Sequence, residues 1–189
     1  MRGLLVDLHI LKRGLKETPM TRLFPMALLT AWSLCSMSAQ AAEPEEDFHL
    51  MNSESIGALK ISMPATQVRK LIADQPSLGK TQEWAADGLF HQTWTYGALG
   101  LEIGMESDSR KSAQVIDRIS VKAPSPLQTK RGIHVGSTEA DVLKAYKADL
   151  SKDDSKPGEQ VVAGSIYGGL IFGIKNGVVT DVFLGAAAE

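Results

Sequence analysis

Two stretches of this chain follow one plan, and that repetition constrains the fold more than any other feature. The first is Ala58-Leu-Lys-Ile-Ser-Met-Pro-Ala-Thr-Gln-Val-Arg-Lys-Leu-Ile72 and the second Arg131-Gly-Ile-His-Val-Gly-Ser-Thr-Glu-Ala-Asp-Val-Leu-Lys-Ala-Tyr146. Aligned without a gap, Ile61 falls on Val135, Ser62 on Gly136, Val68 on Val142, Lys70 on Lys144 and Ile72 on Tyr146. Each reads as a short strand, a tight turn and a helix with an apolar stripe at i, i+3, i+4 spacing. Pro64 opens the first helix, which is expected to run to about Asp74, and Pro76 and Gly79 end it. Thr138 and Asp141 form a capping-box pair at the start of the second, which is expected to reach about Leu150.

Each stretch leads into an aromatic, glycine-rich β region. Asp87-Gly88 and Asn176-Gly177 are tight-hairpin signals. Strands are expected over Leu89–Tyr96, Leu99–Met105, Val115–Lys122, Val161–Tyr167, Leu170–Ile174 and Val178–Leu184, from apolar/polar alternation. Ile56–Ile61 suits a further short strand, and the charged run Ser151–Gln160 reads as a loop. Tyr96-Gly-Ala-Leu99 matches Tyr167-Gly-Gly-Leu170, and Val115–Ile119 matches Val178–Val182. The expected fold is α+β, a tandem repeat of units that each pair one helix with a three- to four-stranded antiparallel sheet. The first repeat spans 56–123 and the second 129–189, joined by a stiff Pro124-Ser-Pro126 linker.

The chain before the repeats reads differently. From Met20, a basic Arg22, an apolar run Leu23–Leu34 and Ala39-Gln-Ala41 make a secretory signal, so residues 1–41 are expected to be a leader with Met20 as its true start. Residues 42–55 are acidic and aperiodic, a flexible lead-in. Cys35 is the only cysteine, and it is flanked by Trp32 and Leu34 rather than the smaller residues a lipidation site prefers. The expected location is the periplasm, with an outer-membrane lipoprotein through Cys35 as the alternative. Removing 1–41 takes five basic and two acidic residues and moves the formal charge from −2 to −5. That balance excludes nucleic acid as the main partner. No segment after residue 41 has the length and apolarity to cross a membrane as a helix.

The first repeat carries Ser62-Met-Pro-Ala-Thr-Gln-Val68, then Leu71, Pro76 and Trp94-Thr-Tyr96; the second keeps Gly136-Ser-Thr-Glu-Ala-Asp-Val142 and Ala145-Tyr146. This pattern resembles the BamE-like (SmpA/OmlA) small envelope proteins, with their Gly-Met-Thr-x-x-Gln-Val turn, Leu-Gly-x-Pro helix end and Trp-x-Tyr strand. Tandem copies of the unit resemble the β-lactamase-inhibitor-protein-like fold. Ser62 and Pro64 depart from the turn glycine and capping Thr, and the second repeat has Ile166-Tyr167 in place of Trp-x-Tyr. The resemblance implies a non-catalytic envelope protein whose partner is another envelope or secreted protein. The alternative is an inhibitor of a periplasmic or secreted hydrolase, and more distantly a small periplasmic hydrolase.

Candidate chemistry is sparse. His49, His91 and His134 have no metal-ligand spacing to one another, and His91 and His134 are expected on strands, facing solvent. No metal, cofactor or catalytic residue is expected. Gly132–Thr138 lacks the Lys of a phosphate loop, and Ser137 and Ser165 lack a nucleophile-elbow context. Phe90, Trp94, Tyr96, Tyr167 and Phe172 suit either a core beneath the helices or anchors on an open sheet face. As protein-binding anchors, Trp94, Tyr96 and Tyr167 are the candidates.

Overall fold

The computed structural model describes residues 48–187. The leader, the Met20 start, Cys35 and most of the acidic lead-in lie outside the described residues.

Nine strands dominate the described residues. They are β1 (Ser77–Leu78), β2 (Gln82–Glu83), β3 (Phe90–Tyr96), β4 (Leu101–Ser107), β5 (Val115–Lys122), β6 (Leu150–Lys156), β7 (Gln160–Ser165), β8 (Gly168–Lys175) and β9 (Val178–Gly185). Among the described residues three short α-helices accompany them: α1 (His49–Ser53), α2 (Ala65–Leu71) and α3 (Glu139–Ala145). All strands belong to one antiparallel sheet of order β1-β3-β4-β5-β9-β8-β7-β6, with β2 also on β3.

This corrects the expected tandem repeat of separate helix-plus-sheet units. The two meanders fuse where β5 pairs with β9, Ile119 opposite Leu184 and Val121 opposite Val182. Each strand is the last of its meander and would otherwise present an open row of N–H and C=O groups. Pairing over Ile119–Lys122 and Asp181–Leu184 satisfies that part of both rows and buries the apolar pairs between them.

The face of the sheet that carries the core follows from strand alternation. Trp94 and Tyr96 on β3 lie opposite Ile103 and Leu101 on β4, which lie opposite Ile119 and Val121 on β5. Leu184, Val182, Leu170 and Phe172 continue the layer. Leu50, Val68 and Val142 add one buried residue from each helix. Among the described residues, Val162 is the sole buried apolar side chain outside this cluster. The opposite face carries Thr93, Thr95, Glu102, Ser120, Lys122, Asp181, Ile171 and Phe183, all half-buried or exposed.

The turns into α2 and α3 are tied to the sheet in the same way. Ser62 N–H donates to the Ile116 carbonyl and Gly136 N–H to the Val179 carbonyl, both at 2.8 Å. Pro64 bridges Val115, and Thr138 bridges Val178. Both turn residues have left-handed backbone, φ 64° at Ser62 and 96° at Gly136. The capping box of Thr138 and Asp141 is present, whereas Pro64 caps without a side-chain bond.

Both helices end earlier than expected. Downstream of α3, the chain from Leu150 forms β6, the charged run expected as a loop. Ser, Lys and Asp suit an edge strand, because charge discourages another chain from pairing there. Ile56 makes only isolated bridges rather than a strand. Residues 49–53, expected to be flexible, form α1, which buries Leu50 and packs on β7 and β8.

One ionic knot joins α1 to the distant second half. The Glu54 carboxylate, 2% exposed, accepts from Arg131 Nε at 3.0 Å, and Arg131 Nη1 donates to Asp149 at 2.7 Å. The Arg131 guanidinium also lies 4.5 Å from the Tyr146 ring centre, and Tyr146 donates its hydroxyl to Thr129. Burial pushes the Tyr146 phenol well above its usual range. Arg131→Ala would leave Glu54 buried without a counter-charge. The expected loss, read from urea unfolding, is about 3 kcal/mol, the low end for breaking a buried pair because Arg131 is partly exposed.

The two left-handed turns give a paired expectation. Gly136→Val forces a β-branched residue into a conformation costing roughly 1–2 kcal/mol for an L-residue, whereas Ser62→Gly relieves a similar strain. The urea midpoint should fall for the first and rise or hold for the second.

Candidate functional site

A cleft forms where β5 and β9 part. β5 pairs with β9 only from Ile119 onward. Before that, Ile116 exchanges backbone bonds with Ser62 and Met63 instead, while the chain beyond β9 turns to Ile166, whose carbonyl accepts from Ala187 N–H. The resulting cavity of about 770 Å³ is lined by Trp84, His91, Glu106, Asp117, Arg118 and Phe183, among others.

A β-bulge sets its floor. Gly104 pairs with Arg118, but the next residue, Met105, pairs with Ile116, so Asp117 is the extra residue. Such a bulge re-aims side chains. Asp117 and Arg118 lie across Gly104, where a Cβ would stand 2.0 Å from Asp117 Oδ1 and 2.4 Å from Arg118 Cγ. Glycine is therefore required at position 104 for this arrangement.

His91 sits at the centre, 5% exposed. Its Nδ1 lies 2.8 Å from Asp117 Oδ2, and its Nε2 lies 2.8 Å from Asp87 Oδ2. Arg118 Nη1 donates to the same Asp117 Oδ2 at 2.8 Å. Trp84 stacks on the imidazole with ring centres 3.9 Å apart, and the Arg118 guanidinium lies 5.1 Å from the Trp84 ring centre. Asp117 Oδ1 is buried without a hydrogen-bond partner. Glu106 is directly opposite His91 across β3 and β4. One donor atom each from His91, Glu106 and Asp117 lies within 4.8 Å of the others.

The electrostatics follow from this crowding. Burial first, then the neighbouring Asp117 carboxylate, raises the Glu106 carboxyl above its ordinary value. Asp87 moves the other way, chiefly because its carboxylate accepts the Leu89 backbone N–H, with His91 adding to the effect. Like charges and desolvation thus oppose ionisation of Glu106, while hydrogen bonding favours ionised Asp87.

The residues expected from the sequence fall elsewhere. Trp94 is 1% exposed and Tyr96 3% exposed, so both belong to the core rather than to an open face. Arg69 of α2 covers Trp94 with its guanidinium 4.3 Å from the ring centre, and Trp94 Nε1 donates to Gln92. Tyr167 is 42% exposed because it stands in the turn between β7 and β8, where Ser165 pairs with Gly168. His91 is buried, against the expectation that it faces solvent, while His134 is exposed. Ser137 Oγ accepts the His134 N–H and Ser165 Oγ accepts the Tyr167 N–H. Both serines therefore act in turns.

Asp87, Glu106, Asp117 and Arg118 escaped the sequence reading. Asp117 lies 26 residues from His91, and the bulge that turns it inward leaves no mark in a strand pattern. The available signal was the hairpin, since Asp87 four residues before His91 across a tight turn returns its carboxylate to the strand.

No protein-family model matches the chain, and no curated protein or solved structure is significantly similar to it.

Glu106 sets a pH-dependent expectation. Its folded-state value is raised, so its contribution to stability is fully present below the unfolded value and is lost as pH rises through the folded one. Glu106→Gln removes that loss. Urea midpoints for the variant should gain on wild type as pH rises from 4 to 7, and a constant difference across that range would contradict this.

Proposed function

We propose that this chain is a non-catalytic protein-binding module of the bacterial cell envelope, similar to the BamE-like proteins and exported to the periplasm. The single observation carrying the reading is the asymmetry of the sheet. One face is a continuous core under the three helices, and the other is a broad, polar, half-buried surface. An antiparallel sheet needs cover on one side only, and among the described residues no helix covers this face, so it can meet another protein. The leader pattern at residues 20–41 supports export, and the Gly136–Val142 and Ser62–Val68 motifs support the BamE-like reading.

The anchors move from Trp94 and Tyr96 to the open face. Ile171 on β8 lies directly opposite Phe183 on β9, and both are half-buried. This apolar pair lies near the middle of the sheet. Around it stand Asp181, Arg118 and the exposed ion pair of Lys122 with Glu102 at 3.4 Å. An apolar centre inside a charged rim is the anatomy of a protein interface. Tyr167, at the end of the β7–β8 hairpin, remains an exposed aromatic. Ser137 and Ser165 are engaged in turns, which weighs against the hydrolase alternative.

A photo-crosslinking amino acid placed at Ile171 should capture an envelope or secreted partner in living cells, and one placed at Leu143 on α3 should not. Phe183→Ala should weaken capture from position 171 at least about tenfold, as loss of a central anchor does. Circular dichroism would check that the sheet persists. Capture from Leu143 alone would overturn the reading.

A further inference from the structure

We propose that His91, Glu106 and Asp117 form a binding site for one divalent first-row transition-metal ion, with Asp87 and Arg118 as its outer partners. The inference goes beyond protein binding and stands on the cleft alone.

The donor set comes first. One imidazole and two carboxylates place their donor atoms within 4.8 Å of one another. Small rotamer shifts would bring all three to about 2.0–2.2 Å from one ion. The imidazole favours zinc-like ions over magnesium and calcium, which prefer all-oxygen sites.

The tautomer comes second. A neutral imidazole donates through one nitrogen only. With Nε2–H donated to Asp87, Nδ1 turns its lone pair on Asp117 Oδ2, 2.8 Å away. Two lone pairs at that distance repel, so the gap calls for a cation, a proton or a metal ion. The carboxylate–histidine pair on the far side is the usual outer support of a metal-bound histidine. Arg118, donating to Asp117 Oδ2, would orient the second ligand in the same way.

Asp117 itself has a second oxygen to satisfy. Asp117 Oδ1 is buried and has no partner, a costly state for a carboxylate oxygen. It is held there because Gly104 has no side chain to displace it. The cleft gives an ion access to this group.

Trp84, stacked on His91 at 3.9 Å, supplies a local readout. Titrating the full-length chain with cobalt(II) should quench Trp84 fluorescence at a stoichiometry of one ion per chain, and zinc(II) should compete. Magnesium should not. Asp117→Asn and Glu106→Gln should each weaken binding at least about tenfold, and Asp87→Asn, a positioning change, about 10–100-fold. Trp84→Phe should abolish the optical signal while equilibrium dialysis still finds the zinc. Because Glu106 is only half-buried, its variant keeps the test valid if the Asp117 variant unfolds. Absence of stoichiometric zinc binding by wild type, or binding that Glu106→Gln leaves unchanged, would overturn the site. The cluster would then be an ion-pair network closed by a proton.

Discussion

The short pairing of β5 with β9 is the contact on which the rest depends. It joins Ile119–Lys122 to Asp181–Leu184, and it turns two meanders into one sheet with one continuous core. Its brevity matters as much as its presence. Had the two strands stayed together along their full length, the positions around Asp117 would be sealed by β9. Instead β5 exchanges partners at Ile119, segment 62–64 takes over its free edge, and the cleft opens at the change.

The same region shows how a sheet acquires polar chemistry. A regular strand at Asp117 would send alternate residues to opposite faces, and either Asp117 or Arg118 would enter the core. The bulge against Gly104 and Met105 puts both beside His91. Arg118 then balances Asp117 in part, but Asp87 and Glu106 remain close by, so three carboxyl groups share one arginine.

Strand content was legible because alternation is a local property. β5 was read over the residues it occupies, and the Asn176-Gly177 turn, with φ 54° and 75°, joins β8 to β9 as its residues dictate. The two turn-helix stretches were legible too, down to the Thr138–Asp141 capping box. What the pattern did not carry was the pairing of strands far apart in the chain, so two sheets were expected where one exists. β6 was missed because an edge strand exposes charges that also suit a loop. Trp94 and Tyr96 were assigned to one face correctly, but alternation does not say which face the helices cover. His91 shared that ambiguity, and its burial depends on Asp87 and Asp117 arriving from a turn and a bulge.

The Glu54–Arg131 contact spans 77 positions in sequence. α1 opens the described chain, yet its supports, Arg131, β7 and β8, are made much later. Contacts of such long range are slow to form, because the loop between them must close before they gain anything. The Glu54 contact therefore carries a large closure cost, and it acts as a latch between two distant parts of the chain.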